Sequence, residues 1–337
     1  MSEGLRIGIV GAGGIARARH VPGFRAIQDV ELAGVVNRSA ESTAAAAREL
    51  SIAQAYPDWR ALVADPAIDA VLVATWPYLH APITLAALAA GKHVLTQARM
   101  AMNADEARSM LRASLERPDL TAMVVPSPLS FWCDATVARL LADGALGELR
   151  RVAVAWDTSG EAESWRLQRR WSGNNVMALG IVYESVARWL GHAVAVAAVG
   201  RIRDPVRRVP EGHVAADVPD SLALLVEFPG GVDATWTMTT NLAMPDGNTV
   251  RLIGTAGSLL VDLVGQRLEL VPAGRTPEPI SIPAHEAADW RVEAEFVGAI
   301  RGEEQVRFTD FETGFRYMAF TDAVHASIAA GCRVTIS

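Results

Sequence analysis

A glycine-rich turn near the start of the chain constrains the fold more than any other sequence feature. Gly11-Ala12-Gly13-Gly14-Ile15-Ala16 follows the pattern G-x-G-x-x-A and joins a β-branched apolar run at residues 6–10 to a helical window. Glycine permits the tight turn and the close approach of a pyrophosphate, whose charge then rests on the amides of the helix N-terminus. The alternative is a turn that serves packing alone. The residues of this turn predicted to bind a dinucleotide are Gly11, Gly13, Gly14 and Ile15.

The order of strand-like and helix-like segments predicts an α/β fold with two domains. Short β-branched runs alternate with alanine-rich helical windows up to about residue 121, which is typical of βαβ units and a parallel sheet. Residues 1–121 are therefore predicted to form a Rossmann domain. Period-2 strands and then two helical windows follow. Residues 122–337 are predicted to form an α+β domain with a large, mostly antiparallel, open-faced sheet, closed by the C-terminal helices.

Composition excludes several classes of function. The chain has 337 residues, half of them apolar, and a formal net charge of -7 with arginines and acids interspersed. This distribution disfavours nucleic acids and membrane surfaces as partners and leaves a small molecule, which can be anionic. The apolar stretch at 176–199 contains ionisable residues, so it predicts a buried helix plus a strand rather than a membrane span. The N-terminus lacks signal-peptide regions and the two cysteines lack metal-site spacing, so a cytoplasmic protein without a metal is expected.

The end of the second strand indicates which dinucleotide is bound. An acidic residue there would accept hydrogen bonds from the adenosine ribose, but this chain has Asn37-Arg38-Ser39. Arginine can pair with a 2′-phosphate, and serine and asparagine can donate hydrogen bonds. NADP is therefore favoured over NAD. The alternative is that Asn37 and Ser39 only cap the next helix.

The third long strand ends in further predicted cofactor-binding residues. Thr75, Trp76 and Pro77 follow this strand, at the edge where ligands bind in open α/β sheets. His80 opens the next helix and is counted with them, in a structural rather than a catalytic role.

Several motifs together resemble the glucose-fructose oxidoreductase / inositol dehydrogenase family, often called Gfo/Idh/MocA. Residues 91–103, GKHVLTQARMAMN, are similar to the family's KHVLCEKP segment, and residues 74–80, ATWPYLH, to its TPxxxH segment. Residues 143–149 and 253–259 match its junction into the second domain and its I-x-G-T-x-G-x-L turn, so the resemblance spans nearly the whole chain. The resemblance implies an NAD(P)-dependent oxidoreductase that acts on a sugar-like or hydroxy/keto small molecule. It also implies a homodimer or homotetramer formed through the open sheet face.

The usual catalytic side chains of that family are replaced in this chain. The family's Glu-Lys-Pro falls on Gln97-Ala98-Arg99, and its aspartate and histidine fall on Ala178 and Val182. The single lysine of the chain precedes the strand, a strand length of roughly 15 Å or more from the cofactor edge. A non-standard active site is therefore expected, with Gln97 among the cofactor-binding residues.

Three side chains near these positions are candidate catalytic residues. Arg99 keeps a cation beside the lysine position and can polarise a carbonyl or hold a carboxylate, although the high pKa of arginine makes it a poor proton carrier. Tyr183 can exchange a phenolic proton, and Glu184 can act as a base if burial raises its pKa. Both point away from the Val182 side of the predicted helix, so packing roles are the alternative.

Substrate-binding residues are predicted around an arginine-aromatic cluster, SWRLQRRW at residues 164–171. Arg166 can hold an acid or a sugar while Trp165 stacks on it, and a solvated loop is the alternative. Asn175 lies in residues 172–185, the segment in which Ala178 and Val182 replace the family's aspartate and histidine. Asp157, at the end of a strand that faces the same predicted substrate pocket, is the nearest candidate carboxylate.

Three functions fit these features. The leading one is hydride transfer between a nicotinamide and the substrate, with Arg99 as electrophile and Tyr183 or a bound water carrying the proton. The second keeps the cofactor and uses transient oxidation to drive an elimination or a glycoside cleavage, without net change in nicotinamide absorbance. The third is a non-catalytic dinucleotide-binding sensor or scaffold.

Overall fold

A computed structural model describes residues 4–159, 164–209, 212–245 and 247–336. The chain forms two compact units, the first made of Met1–Pro126 and Arg291–Met318 and the second of Ser127–Trp290 and Ala319–Ser337. The predicted boundary between residues 121 and 122 differs from this division. The strand that follows residue 121 adds to the sheet of the first unit, and part of the C-terminal region returns to that unit.

The first unit contains a six-stranded parallel sheet with the order β3-β2-β1-β4-β5-β6. Its central strands are buried on both faces because helices follow successive strands, as is usual for a parallel sheet. The strands are β1 (Leu5–Val10), β2 (Val30–Val36), β3 (Gln54–Ala55), β4 (Ala70–Val73), β5 (His93–Thr96) and β6 (Ala122–Val124).

Local sequence explains where the helices of the first unit begin. Ser39, Asp58 and Asn103 are N-cap residues, and each accepts a hydrogen bond from a backbone amide of the first turn. A stretch of π-helix, Ala16–His20, precedes the first α-helix. The helices are α1 (Val21–Arg25), α2 (Ala40–Glu49), α3 (Trp59–Ala64), α4 (His80–Ala89) and α5 (Ala104–Leu115).

The second unit is built on a nine-stranded, mostly antiparallel sheet with the order β16-β15-β14-β13-β7-β12-β11-β8-β17. β7 and β12 are the parallel pair within it. A separate hairpin pairs β9 with β10. The strands are β7 (Leu149–Asp157), β8 (Ala195–Arg201), β9 (Val206–Val209), β10 (Gly212–Ala215), β11 (Ser221–Phe228), β12 (Val232–Thr239), β13 (Asn248–Gly254), β14 (Gly257–Asp262), β15 (Arg267–Pro272), β16 (Glu278–Pro279) and β17 (Val334–Thr335).

One face of this sheet packs on helices and the other is open. Alternate residues of β11 and β12 are buried and exposed, which is the period-2 pattern of a sheet with one solvated face. Trp236 lies on the buried face, whereas Val199 and Leu225 are exposed on neighbouring strands. The homodimer or homotetramer expected from this open face stays a prediction. The helices of the unit are α6 (Asp134–Ala142), α7 (Arg169–Ser172) and α8 (Leu179–Leu190).

Two helices complete the chain, α9 (Val292–Arg301) and α10 (Phe311–Ala330). In the first unit, Phe296 of α9 meets Phe24 of α1 edge-on, with ring centroids 6.4 Å apart. The division between the two units falls inside α10, after Met318.

The predicted fold class is confirmed: a parallel Rossmann sheet comes first, and a large, mostly antiparallel sheet follows. The stretch at 176–199 contains α8 and the start of β8, as predicted. Within the described residues, no helix combines the length and apolarity that crossing a membrane requires. The hairpin of β9 and β10 was not predicted, because four-residue strands leave almost no periodic signal.

Candidate active site

The glycine turn after β1 leaves room for a ligand against its backbone. Gly11 has φ +95°, and a Cβ on it would lie 2.7 Å from the carbonyl carbon and oxygen of Ala74, so only glycine fits. A Cβ on Gly13 or Gly14 would meet nothing within 4 Å. The turn is therefore packed against β4 on one side and open on the other, which suits the backbone approach of a pyrophosphate.

Two of the three residues after β2 make hydrogen bonds within the fold, and the third is exposed. The side-chain oxygen of Asn37 accepts a hydrogen bond from the amide of Ala12 (2.7 Å), which holds the glycine turn against β2. Ser39 accepts a hydrogen bond from the amide of Ser42 (3.1 Å) and caps α2, and its cofactor-binding role stays a prediction. Arg38 is exposed, with its guanidinium carbon 5.5 Å from the ring centroid of Trp76.

The first unit has a cleft of about 600 Å³ at the carboxyl ends of its strands. That volume lies in the range of cofactor pockets. Gly11, Gly13, Asn37, Arg38, Ser39, Thr75 and Trp76, all predicted to bind the cofactor, line it together with Ser42, Asp58 and Trp59. The open glycine backbone and this lining fit a dinucleotide. Ile15 is 46% exposed and Pro77 is buried at the start of a 3-10 turn, and neither lines this cleft.

The imidazole of His80 contacts the backbone of two loops of the first unit, those that follow β4 and β5. It is buried, with Nε2 2.9 Å from the carbonyl oxygen of Thr75 and Nδ1 2.9 Å from that of Arg99. Burial lowers the pKa of His80. These contacts agree with the structural role predicted for it.

A buried chain of side chains that the sequence did not reveal holds Gln97. The Nε2 atom of Gln97 lies 2.6 Å from Nε2 of His20, and Nδ1 of His20 lies 2.5 Å from a carboxylate oxygen of Glu293. With its proton on Nδ1, His20 donates to Glu293 and accepts from the Gln97 amide. Gln97 follows β5, and all three residues are buried. His20 and Glu293 are 273 residues apart, so no local pattern could have paired them.

The predicted catalytic residues occupy buried positions. Arg99 is 5% exposed, its carbonyl oxygen lies 2.9 Å from Nδ1 of His80, and the Ala98–Arg99 peptide bond is cis. In the second unit, Tyr183 is fully buried, stacks on Phe320 with centroids 3.9 Å apart, and accepts a hydrogen bond from the amide of Ala193 (2.9 Å).

Glu184 is likewise engaged within the core of the second unit. Its carboxylate lies 3.0 Å from Nη1 of Arg188 and accepts a hydrogen bond from the amide of Ser127 (3.0 Å). These contacts give Tyr183 and Glu184 structural roles, as the packing alternative anticipated. The catalytic roles proposed for them stay predictions.

The second unit contains its own cavity, of about 280 Å³. Its lining residues are Trp156, Thr158, Arg166, Leu167, Met177, Ala178, Arg207, Ala216, Val218, Pro219, Asp220 and Thr240. Ala178, where the sequence comparison places the family's aspartate, is therefore part of a cavity wall, and Met177 beside it has φ 45°.

Arg166 is the predicted substrate residue that lines this cavity, and its guanidinium carbon lies 4.2 Å from the ring centroid of Trp165. Asn175 is buried, and its side-chain amide donates to the carbonyl of Ser172 (2.6 Å). Asp157 was expected to face this crevice, but Trp156 lines it instead. The reason is that successive side chains of β7 point to opposite faces of the sheet.

A Rossmann unit with an open glycine turn and a dinucleotide-sized cleft, joined in one chain to a large open sheet, defines a nicotinamide-dependent oxidoreductase of two domains. Comparison with known families agrees. Residues 5–124 match the model of an oxidoreductase family with an NAD-binding Rossmann fold, and residues 135–260 match the GFO/IDH/MocA C-terminal domain. The chain belongs to the Gfo/Idh/MocA oxidoreductase family.

Individual relatives include enzymes of several specificities. The chain is 31% identical over 313 residues to a dTDP-3,4-didehydro-2,6-dideoxy-alpha-D-glucose 3-reductase of Streptomyces violaceoruber, covering 88% of this chain and 85% of the relative. It is 28% identical to the trans-1,2-dihydrobenzene-1,2-diol dehydrogenase of Mus musculus, covering 81% and 79%. Among solved structures, levoglucosan dehydrogenase in complex with NADH and L-sorbose superimposes with a TM-score of 0.86 over 99% of both chains, at 23% identity.

Proposed function

We propose that this oxidoreductase transfers a hydride between a nicotinamide dinucleotide, NADP in preference to NAD, and a sugar-like hydroxy or keto compound. The observation that carries the proposal is the cleft of the first unit, where an open glycine backbone meets Arg38 and two serines. The names of several relatives, which describe sugar or diol oxidoreductases, support the substrate class.

The preference for NADP rests on the residues after β2. Residue 37 is asparagine, so the end of β2 has no carboxylate to accept hydrogen bonds from a ribose. The side-chain oxygen of Asn37 accepts instead from the amide of Ala12. Arg38 is exposed at the cleft and can pair with a 2′-phosphate through its planar fork. The hydroxyl group of Ser39, at the N-terminus of α2, adds a donor on the same side. Asp58, the carboxylate among the lining residues, caps α3 through the amide of Ala61.

Each group of the chain has a separate task in this proposal. The backbone at Gly13 and Gly14 receives the pyrophosphate, and the buried pair of His20 and Glu293 fixes the amide of Gln97 at the end of β5. When bound, the nicotinamide donates or accepts the hydride. Arg99 supplies the positive charge that polarises a substrate carbonyl. A bound water carries the proton, because Tyr183 is fully buried and stacked on Phe320.

The test is a titration of purified, cofactor-stripped protein with NADH and NADPH, followed by nicotinamide fluorescence and by energy transfer from tryptophan. NADPH is expected to bind more tightly, and Arg38→Gln should weaken NADPH by about tenfold or more while leaving NADH nearly unchanged, since a charge-assisted contact is lost. Arg60→Gln is the matched control, because Arg60 also stacks on a tryptophan, Trp59, but does not line the cleft.

The outcomes separate the parts of the proposal. Binding of neither dinucleotide would show that the glycine turn is only structural and would overturn the oxidoreductase function. Tighter binding of NADH would overturn the NADP preference alone. Turnover without net change in nicotinamide absorbance would indicate transient oxidation instead of net hydride transfer.

A further inference from the structure

The cavity of the second unit contains a buried guanidinium with an unused hydrogen-bond donor. The side chain of Arg207, on β9, is 6% exposed and lines the cavity. Its Nη1 atom is buried and has no hydrogen-bond partner among the described residues. Buried donors in proteins are as a rule paired, because an unpaired one loses its hydration without compensation. The cavity is the space from which an acceptor can reach it.

Asp220 compensates the charge of Arg207 but does not satisfy its donor. The closest approach of the two side chains is 3.8 Å, beyond hydrogen-bond distance. The Asp220 oxygens accept instead from the amides of Arg203 (2.8 Å) and Asp204 (2.9 Å), which commits the carboxylate to that turn. The Nη1 donor of Arg207 therefore remains available for an acceptor in the cavity.

The other residues that line the cavity indicate which kind of ligand carries the acceptor. The hydroxyl-bearing residues Thr158 and Thr240 and the aromatic ring of Trp156 share the cavity with Arg207. A volume of about 280 Å³ lies at the lower end of ligand pockets and suits a compound the size of a monosaccharide. The oxygens of Asp220 are taken by two backbone amides, so an anionic oxygen of the ligand would complete the pairing of the Arg207 Nη1 donor.

We infer that this cavity binds the carboxylate of a small hydroxy or keto acid, a sugar acid being the type that matches its size and hydroxyl groups, with Arg207 as the residue that recognises the carboxylate. A carboxylate is favoured over a phosphate, because Asp220 also lines the cavity and would repel a phosphate monoester, which carries nearly two negative charges, more strongly. The inference rests on the proposed function in that the acid is its substrate.

The experiment measures binding of D-glucuronate, D-glucose and D-glucose 6-phosphate to the full chain by calorimetry, with NADPH present and absent. Glucuronate is expected to bind at least about tenfold more tightly than glucose, and more tightly than the phosphate ester. Arg207→Met should remove this advantage. Arg208→Met is the matched control, since the neighbouring Arg208 is exposed on the same strand.

A second variant does not depend on Arg207. Ala178→Asp adds a carboxylate to the cavity wall at the N-cap of α8, a position that tolerates aspartate, so the fold should be kept. Glucuronate affinity should fall at least about tenfold through like-charge repulsion, while Ala178→Asn should have little effect.

Several results would overturn the inference: equal binding of glucose and glucuronate, binding of none of the three probes, preference for the phosphate, or unchanged glucuronate affinity in Ala178→Asp. Failure of the proposed function is seen separately, in the dinucleotide titration. A protein that binds glucuronate through Arg207 but neither dinucleotide would keep the carboxylate site and lose the oxidoreductase function.

Discussion

The cleft of the first unit and the cavity of the second unit differ in the groups that line them. The cleft is formed around a glycine turn whose backbone is left open at Gly13 and Gly14. The cavity is formed by side chains around the buried guanidinium of Arg207. A backbone site demands glycine at fixed spacing and therefore leaves a motif, whereas a side-chain site draws residues from distant segments and leaves none.

The two sites also differ in which of their residues can be replaced. The turn depends on φ angles and on close approach to β4, which no other residue type can supply at Gly11. The cavity wall includes Ala178, where the family's aspartate is replaced, so its charge can change without loss of the scaffold. One fold can in this way keep a cofactor site and change the ligand it accepts.

The largest effect is expected at the glycine turn. Gly11→Val would force a side chain within 2.7 Å of the Ala74 backbone at φ +95°, and we expect a loss of roughly 2–4 kcal/mol in unfolding free energy together with loss of dinucleotide binding. Gly14→Ala is the control, because its Cβ meets open space: its melting temperature should stay near that of the wild type and only the affinity should fall. Equal stability of the two variants in urea unfolding would contradict the close-packing argument.

An intermediate loss of stability is expected when the buried hydrogen-bonded side chains of Gln97, His20 and Glu293 in the first unit are changed. Glu293→Ala leaves the Nδ1 proton of His20 without its carboxylate, and we expect about 3 kcal/mol lower unfolding free energy. Glu293→Gln keeps an acceptor of the same shape and should cost about 1 kcal/mol. Urea unfolding measures both. If the two variants were equally destabilised, shape rather than the hydrogen bond would explain the loss.

The smallest effect is expected at a surface pair of the second unit. Hydrogen bonds from Arg139 and Thr136 lower the pKa of Glu286 from 4.5 to about 2. Because the folded pKa is lower than the unfolded one, the pair stabilises the protein above about pH 5, and this contribution is lost as the pH falls towards 2. Glu286→Gln should therefore flatten the decline of melting temperature with acid slightly, whereas Glu278→Gln, at an exposed carboxylate, should not. Identical acid profiles for wild type and Glu286→Gln would contradict the assignment.

Local patterns in the sequence predict the backbone of the first unit well. Five strands of the parallel sheet and the cap at Ser39 follow from short patterns of residues, and the structure places them accordingly, whereas the two-residue strand β3 was not predicted. The sequence does not predict as well to which side of a strand a given side chain points. Asp157 was expected at the crevice, but the pleat of β7 turns Trp156 there instead.

The sequence by itself determined the family, the order of the two folds and the position of the dinucleotide turn, because periodicity and glycine spacing encode backbone conformation locally. The tertiary structure alone decided which side chains meet: Glu293 with His20 across 273 residues, and Arg207 with the wall that contains Ala178. The physical reason is that burial and pairing of polar groups depend on contacts between distant segments, which no single window of sequence contains.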